Sequence, residues 1–217
     1  MKYILTGGPG FGKSSTLLAL EMLGYDIVRE AAEDVIKYNK ANGIKAPWLE
    51  TEKFQDDILE LQLLRESKIT GEITFIDRGS LDGIAYFEKE GLPLSEKVQG
   101  ELERKKLNLE YDIVFLIESF GQCETNDVRR EDLEEALYLE REIEKVYTNL
   151  GYKVVRIKER ENIERAKKIE RIIRGEESYI EEQNDVEENE YGSTPFMDWD
   201  NVPDSGDFDW SADPDDF

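Results

Sequence analysis

Apolar positions along this chain recur with two periods, and the switches between them predict strands separated by helices. Residues 3–6 form a short β-prone run that meets a glycine turn at once, and over 13–23 Leu17, Leu18, Leu20 and Leu23 follow at helical spacing. Residues 25–28 read as a second strand entered through Gly24. A helix with Ala31, Val35, Ile36 and Tyr38 follows over 30–40, closed by Gly43 and Pro47. The pattern then predicts a long amphipathic helix over 54–69, a strand over 73–76 that stops at Asp77-Arg78-Gly79, and shorter helices over 81–88 and 94–107. The clearest buried strand is 112–118, with Ile113-Val114-Phe115-Leu116-Ile117 at its centre. After a polar stretch over 119–130 come a helix marked by Leu133, Leu137, Ile143, Val146 and Tyr147, a strand over 152–157 and a closing helix over 163–173. Strands alternating with helices predict an α/β fold of three layers, a parallel five-stranded sheet covered by helices on both faces. Ligands of such sheets bind at the carboxyl ends of the strands.

Charge divides the chain in two. The net charge is −23 over 217 residues, yet no Lys or Arg follows Arg174, and residues 175–217 carry 16 Asp and Glu. Removing those 16 charges from the total leaves −7 for residues 1–174. One domain is therefore expected over 1–174, followed by a disordered acidic tail. Cys123 is the single cysteine, which excludes an internal disulfide framework. Residues 1–6 run into glycine too early for a signal peptide, and no apolar run approaches the roughly 20 residues of a membrane span, so a cytoplasmic protein is expected. Histidine is absent, which leaves proton transfer to carboxylates, lysine, tyrosine or cysteine.

Gly7-Gly8-Pro9-Gly10-Phe11-Gly12-Lys13-Ser14, followed by Ser15, fits the pattern G-x-x-x-x-G-K-[ST] between a predicted strand and a predicted helix. Glycines let backbone N–H groups close around phosphate oxygens, and the helix N-terminus adds partial positive charge. Lys13 reaches the outer phosphates, and Ser14 offers a hydroxyl to magnesium, so ATP and Mg²⁺ are the implied ligands. Asp77 ends the third strand where a carboxylate can hold the metal, and Arg78 beside it can pair with phosphate. Glu30 stands just after the second strand as the best-placed general base, with Glu33, Asp34 and Asp82 as rivals. Arg129 and Arg130 lie between the fourth strand and a helix, either as a pair that closes over a transferring phosphoryl group or as plain surface residues.

From residue 1 to about 175 the chain resembles the small single-domain P-loop family catalogued as AAA-like ATPases, which groups with ribosylnicotinamide kinases. The stretches that carry the resemblance are residues 6–15, 24–32 (Gly24-Tyr25-Asp26-Ile27-Val28-Arg29-Glu30-Ala31-Ala32), Ile76-Asp77-Arg78-Gly79 and 150–155. Glu30 and the Asp77-Arg78 pair also resemble motifs of deoxynucleoside and thymidylate kinases. That likeness implies Glu30 as base, Asp77 and Arg78 at the phosphoryl group, and Arg129 or Arg130 in a lid.

The expected activity is transfer of the terminal phosphoryl group of ATP to a small nucleoside- or nucleotide-like acceptor. The alternative is a nucleotide-dependent switch whose tail engages a protein partner. A guanine-reading N-K-x-D segment is missing, since Asn39-Lys40-Ala41-Asn42 lacks the acid, and Arg78 stands where a hydrolytic machine usually carries glutamate. One of Trp48, Phe54, Tyr86 and Phe87 can stack on a base or another ring, the alternative for each being a place in the core. The acidic body argues against nucleic acid as a partner. In the tail, Phe196, Trp199, Phe208, Trp210 and Phe217 are spaced among the acids, and Asp213-Pro214-Asp215-Asp216-Phe217 resembles the acidic, Phe-terminated tip of bacterial single-stranded-DNA-binding proteins. Such a tip implies a basic groove on a partner, or on this protein itself.

Overall fold

A computed structural model describes residues 1–119 and 131–177. Its elements run β1 (Lys2–Thr6), α1 (Lys13–Met22), β2 (Asp26–Val28), α2 (Ala31–Ala41), a 3-10 turn (Pro47–Leu49), α3 (Thr51–Glu66) and β3 (Thr74–Asp77). They continue with α4 (Ile84–Glu90), α5 (Glu96–Leu107), β4 (Ile113–Ile117), α6 (Leu133–Asn149), β5 (Val154–Ile157) and α7 (Asn162–Ile173). Every expected element is present, and the differences lie at the ends. The helix expected from residue 81 starts at Ile84, because residues 79–83 turn around the Asp82 side chain, which accepts the Gly79 N–H at 3.1 Å. Ser95 caps α5 by accepting the Val98 N–H, and Asp132 and Glu135 form a capping box that starts α6.

The five strands are all parallel, in the order β2-β3-β1-β4-β5. Alternation sorts their side chains. Tyr3, Leu5, Phe75, Ile113, Phe115, Ile117, Val155 and Ile157 pack with Leu17 and Leu20 of α1 and Ala166, Ile169 and Ile172 of α7 in one core. Ile4, Ile76, Val114 and Leu116, none more than 0% exposed, point to the other face. There α6 packs on β4 and β5, with α4 beside it and α3 beside α4. In α6 the buried residues Ala136, Leu139, Ile143, Val146 and Tyr147 keep the helical spacing of one stripe.

This order positions the site. Leaving β1, the chain runs outward to the edge strand β2; leaving β3, it crosses in the opposite direction past β1 to β4. Crossovers between parallel strands are right-handed, so the two connections leave the sheet on opposite faces and open a crevice at the carboxyl ends of β1 and β3. The Gly7–Ser14 loop and the Asp77-Arg78 pair both emerge into it. The described residues all belong to one compact unit. Residues 178–217 of the expected tail, Cys123, Arg129 and Arg130 lie outside the described residues. Among the described residues no helix is long and apolar enough to cross a membrane.

Candidate active site

Beyond β1 the loop turns through three left-handed glycines, Gly7 at φ 130, Gly10 at φ 83 and Gly12 at φ 85. Side chains are disfavoured at these three by backbone strain, and at Gly7 and Gly8 by space. A Cβ on Gly7 would sit 2.5 Å from the Ile117 carbonyl oxygen, and one on Gly8 2.4 Å from the Phe11 ring and 2.5 Å from the Ala136 carbonyl oxygen. The Phe11 ring is 4% exposed and tucked against Gly8, so it serves the loop's packing. Gly12 caps α1 without a side-chain hydrogen bond, which leaves the first-turn N–H groups of that helix facing the crevice as an anion site. Pro9 is buried in the loop, and Ser15 is exposed on the first turn.

Lys13 is 5% exposed and donates to the Gly8 carbonyl oxygen at 2.7 Å. Burial, reinforced by the nearby Arg78 guanidinium, pulls its amine down to about 8. Ser14 donates from Oγ to Asp77 Oδ2 at 2.8 Å, a meeting set by the pairing of Asp77 with Leu5 in the sheet. Asp77 is 1% exposed, and burial first, then the Glu30 carboxylate, push it up to about 6. Its Oδ1 is buried with no hydrogen-bond partner among the described residues.

Arg78 adopts φ 67, uncommon for a residue with a side chain. Its own N–H donates to the Leu5 carbonyl oxygen at 3.0 Å, and its carbonyl accepts from Gln62 Nε2 at 3.1 Å. The guanidinium spans the crevice, donating from Nε to Glu30 Oε1 at 2.6 Å and from Nη1 to Asp82 Oδ2 at 3.3 Å. Glu30 is anchored from behind: Arg65 Nη1 donates to the carbonyl oxygens of both Arg29 and Glu30 at 2.9 Å.

The rivals of Glu30 are separated by their partners. Asp34 is ion-paired with Arg65, whose hydrogen bond holds its carboxyl below the usual range. Glu33 faces Lys37 at 3.5 Å with a half-buried side chain. Asp82, 3% exposed, accepts from Thr6, Gly79, Tyr147 and Arg78, so its oxygens are committed to holding the site together. Gly79 makes this possible, because a Cβ there would lie 2.0 Å from Tyr147 Oη.

Lys13, Ser14, Glu30 and Arg78 line one cleft of about 1110 Å³, open mouth included, together with Trp48, Phe54 and Tyr86. Burial pushes the Tyr86 hydroxyl up to about 12. Phe87, one of the four rings considered for stacking, is 0% exposed in the core, since the helical turn of α4 points it away from its neighbour Tyr86. Gln55, Gln62, Arg65 and Arg165 were not singled out from sequence. The signal for the first two lay in α3, where the buried residues Gln55, Leu59, Gln62 and Glu66 share one stripe, polar where a core stripe would be apolar.

A family model described as an AAA domain matches residues 2–166. The chain belongs to this AAA-domain family. Among solved structures it is similar to deoxyadenosine kinase from M. mycoides with bound dATP, with a TM-score of 0.59 and 16% identity over 80% of this chain and 99% of that one. The same enzyme with bound dCTP gives a TM-score of 0.57 at 16% identity, over 81% of this chain and 100% of that one. These likenesses show a shared three-layer P-loop fold. No curated protein sequence matches the chain.

Proposed function

We propose that this AAA-domain protein is an ATP-dependent kinase acting on a small hydroxyl-bearing acceptor of nucleoside type. The observation that carries the reading is one cleft in which the Glu30 carboxylate, the Lys13 and Arg78 cations and the aromatic rings of Trp48, Phe54 and Tyr86 meet. The solved deoxyadenosine kinases that share the fold support it.

In this reading the first turn of α1 and the loop amides hold the phosphates of ATP, and Lys13 turns from the Gly8 carbonyl to the outer phosphates. The acceptor lies among the rings with its hydroxyl at Glu30. Glu30 takes the hydroxyl proton as the oxygen forms its bond to the terminal phosphorus; the bond from phosphorus to the bridging oxygen breaks, and ADP leaves. Arg78, held between Glu30 and Asp82, faces the charge that spreads over the equatorial oxygens. Ser14 Oγ and the unpartnered Asp77 Oδ1 fit a hard cation that takes one or two protein oxygens and the rest from phosphate and water, which suits Mg²⁺. When bound, the ion neutralises charge on the β- and γ-phosphates. Arg129 and Arg130 are proposed as lid residues.

The lining argues about the acceptor's charge. Among the described residues it carries Glu30, Glu33, Asp82 and Glu131 against Lys13 and Arg78. A neutral nucleoside is therefore favoured over a monophosphate, whose dianion would face these carboxylates. The test is ATP consumption with Mg²⁺ across nucleosides, nucleoside monophosphates and vitamin-like alcohols, with Lys13→Ala and Glu30→Gln as controls. A phosphorylated nucleoside, lost in both variants, supports the reading. Tight ATP binding without any acceptor-dependent turnover refutes it in favour of a switch, with the tail from residue 175 as its partner-binding segment.

A further inference from the structure

Arg165 belongs to α7, outside the elements that carry the phosphate loop, yet its guanidinium reaches that loop. It is 2% exposed. Nη1 donates to the Phe11 carbonyl oxygen at 2.9 Å, and Nε to the Glu159 carbonyl oxygen at 2.7 Å. Nη1 also stands 3.4 Å from Asn162 Oδ1. The guanidinium fills the space beside Gly12: a Cβ on that glycine would sit 2.6 Å from Nη1. Nothing in the phosphoryl-transfer scheme above uses this residue.

We propose that Arg165 is a positioning residue that aims the Gly12 amide at the phosphate chain of the nucleotide, and so sets affinity for phosphates rather than for the base. The peptide unit joining Phe11 to Gly12 is planar and trans, with its C=O and N–H pointing in opposite directions. Drawing the Phe11 carbonyl toward α7 therefore turns the Gly12 N–H away from α7, to the open side of the loop ahead of Lys13. Gly12 does not hold that orientation by itself, since at φ 85 it has no side chain to restrict it. A planar fork that binds two carbonyls at once fixes the peptide more firmly than a single ammonium can. Because the same fork grips Glu159, the β5–α7 connection and the loop hold a common geometry.

The proposal rests on the loop being a phosphate cradle, and the experiment separates the two. Isothermal titration of the full chain with ATP and with inorganic tripolyphosphate, each with Mg²⁺, is run on the parent protein, Lys13→Ala, Arg165→Met and Arg165→Lys. Binding by the parent and its loss in Lys13→Ala tests the cradle; the Arg165 variants test the positioning. Arg165→Met is expected to weaken ATP and tripolyphosphate by the same factor, about tenfold or more, the scale of one charge-assisted hydrogen bond. Arg165→Lys is expected to recover part of the loss. In ¹⁵N-correlated NMR the Gly12 amide shift on tripolyphosphate binding is expected to shrink in Arg165→Met, while the Ser14 amide shift persists.

Affinities in Arg165→Met within twofold of the parent overturn the proposal. So does a loss confined to ATP with tripolyphosphate unchanged, which would place the effect at the base. If Arg165→Met does not fold, Arg165→Lys decides: an unchanged Gly12 shift and unchanged tripolyphosphate affinity refute the role, and a graded loss of both supports it.

Discussion

Replacing Asp82 by Asn tests whether this carboxylate, rather than acting as a base, holds the site in shape. Oδ1 accepts from the Gly79 N–H at 3.1 Å and from the Tyr147 hydroxyl at 2.8 Å; Oδ2 accepts from the Thr6 hydroxyl at 2.5 Å and from Arg78 Nη1 at 3.3 Å. An Asn that keeps its oxygen toward Gly79 and Tyr147 retains both bonds, now to a neutral acceptor. Its NH₂ then faces Thr6, whose hydroxyl can rotate to accept, and Arg78, which cannot accept at all. The variant thus loses one buried ion pair and sets a donor against a donor. Removing one partner of a buried pair costs about 3–5 kcal/mol, and Arg78 keeps Glu30, so the lower end, about 3 kcal/mol, is expected. That is a fall of about 6–12 °C in Tm for a domain of this size. Urea denaturation at constant m-value measures it. A Tyr147→Phe control, which removes one hydrogen bond to the carboxylate and leaves the ion pair in place, should cost about 1.5–3 kcal/mol. A loss below about 1 kcal/mol in Asp82→Asn would mean that the carboxylate does not hold the site in shape, and would reopen Asp82 as a base.

Further outcomes follow from the same geometry. Glu30→Gln should bind ATP normally and lower kcat by about 10²–10⁴, the range of general-base catalysis; a kcat within threefold of the parent in acceptor-dependent assays would move the base elsewhere. The folded-state value of Asp77 is raised, so its burial costs stability once it ionises: the protein should lose stability as pH rises from about 4 to about 6 on its account. Asp77→Asn should remove that slope in thermal melts and raise the Tm at pH 7.5 while abolishing turnover; a lower Tm would contradict the sign. Phosphate binding needs Lys13 charged and Asp77 ionised, so kcat/KM for ATP should fall below pH of about 6 and above about 8. A flat profile from pH 5 to 9 would count against both assignments. Truncation after Gly175 should change either the kinetics or the set of captured partners, and no change in either would leave the tail as a solubilising segment.

The order of elements and the phosphate loop were legible in the sequence because both are local. A period of two or of 3.6 residues reports which face of a strand or helix is buried, and the Gly7–Ser14 spacing is imposed by one loop on itself. Asp77 was legible only as the residue that ends its strand; its place beside Ser14 was not, because that meeting across 63 positions rests on the pairing of Asp77 with Leu5 in the sheet. What holds these groups in register came only from the tertiary structure. Arg78 meets Glu30 across 48 positions, Tyr147 meets Asp82 across 65 and Arg165 meets Phe11 across 154, and no periodicity in a single chain encodes such pairs. Phe87 illustrates the limit: its neighbour Tyr86 lines the cleft while it is buried, because one residue is about 100° of helix and composition cannot say which of two adjacent rings faces the ligand. Buried polar groups such as Gln62 and Arg165 read as surface residues until the fold supplies their partners, since burial of a donor is tolerated only where an acceptor has been brought to it.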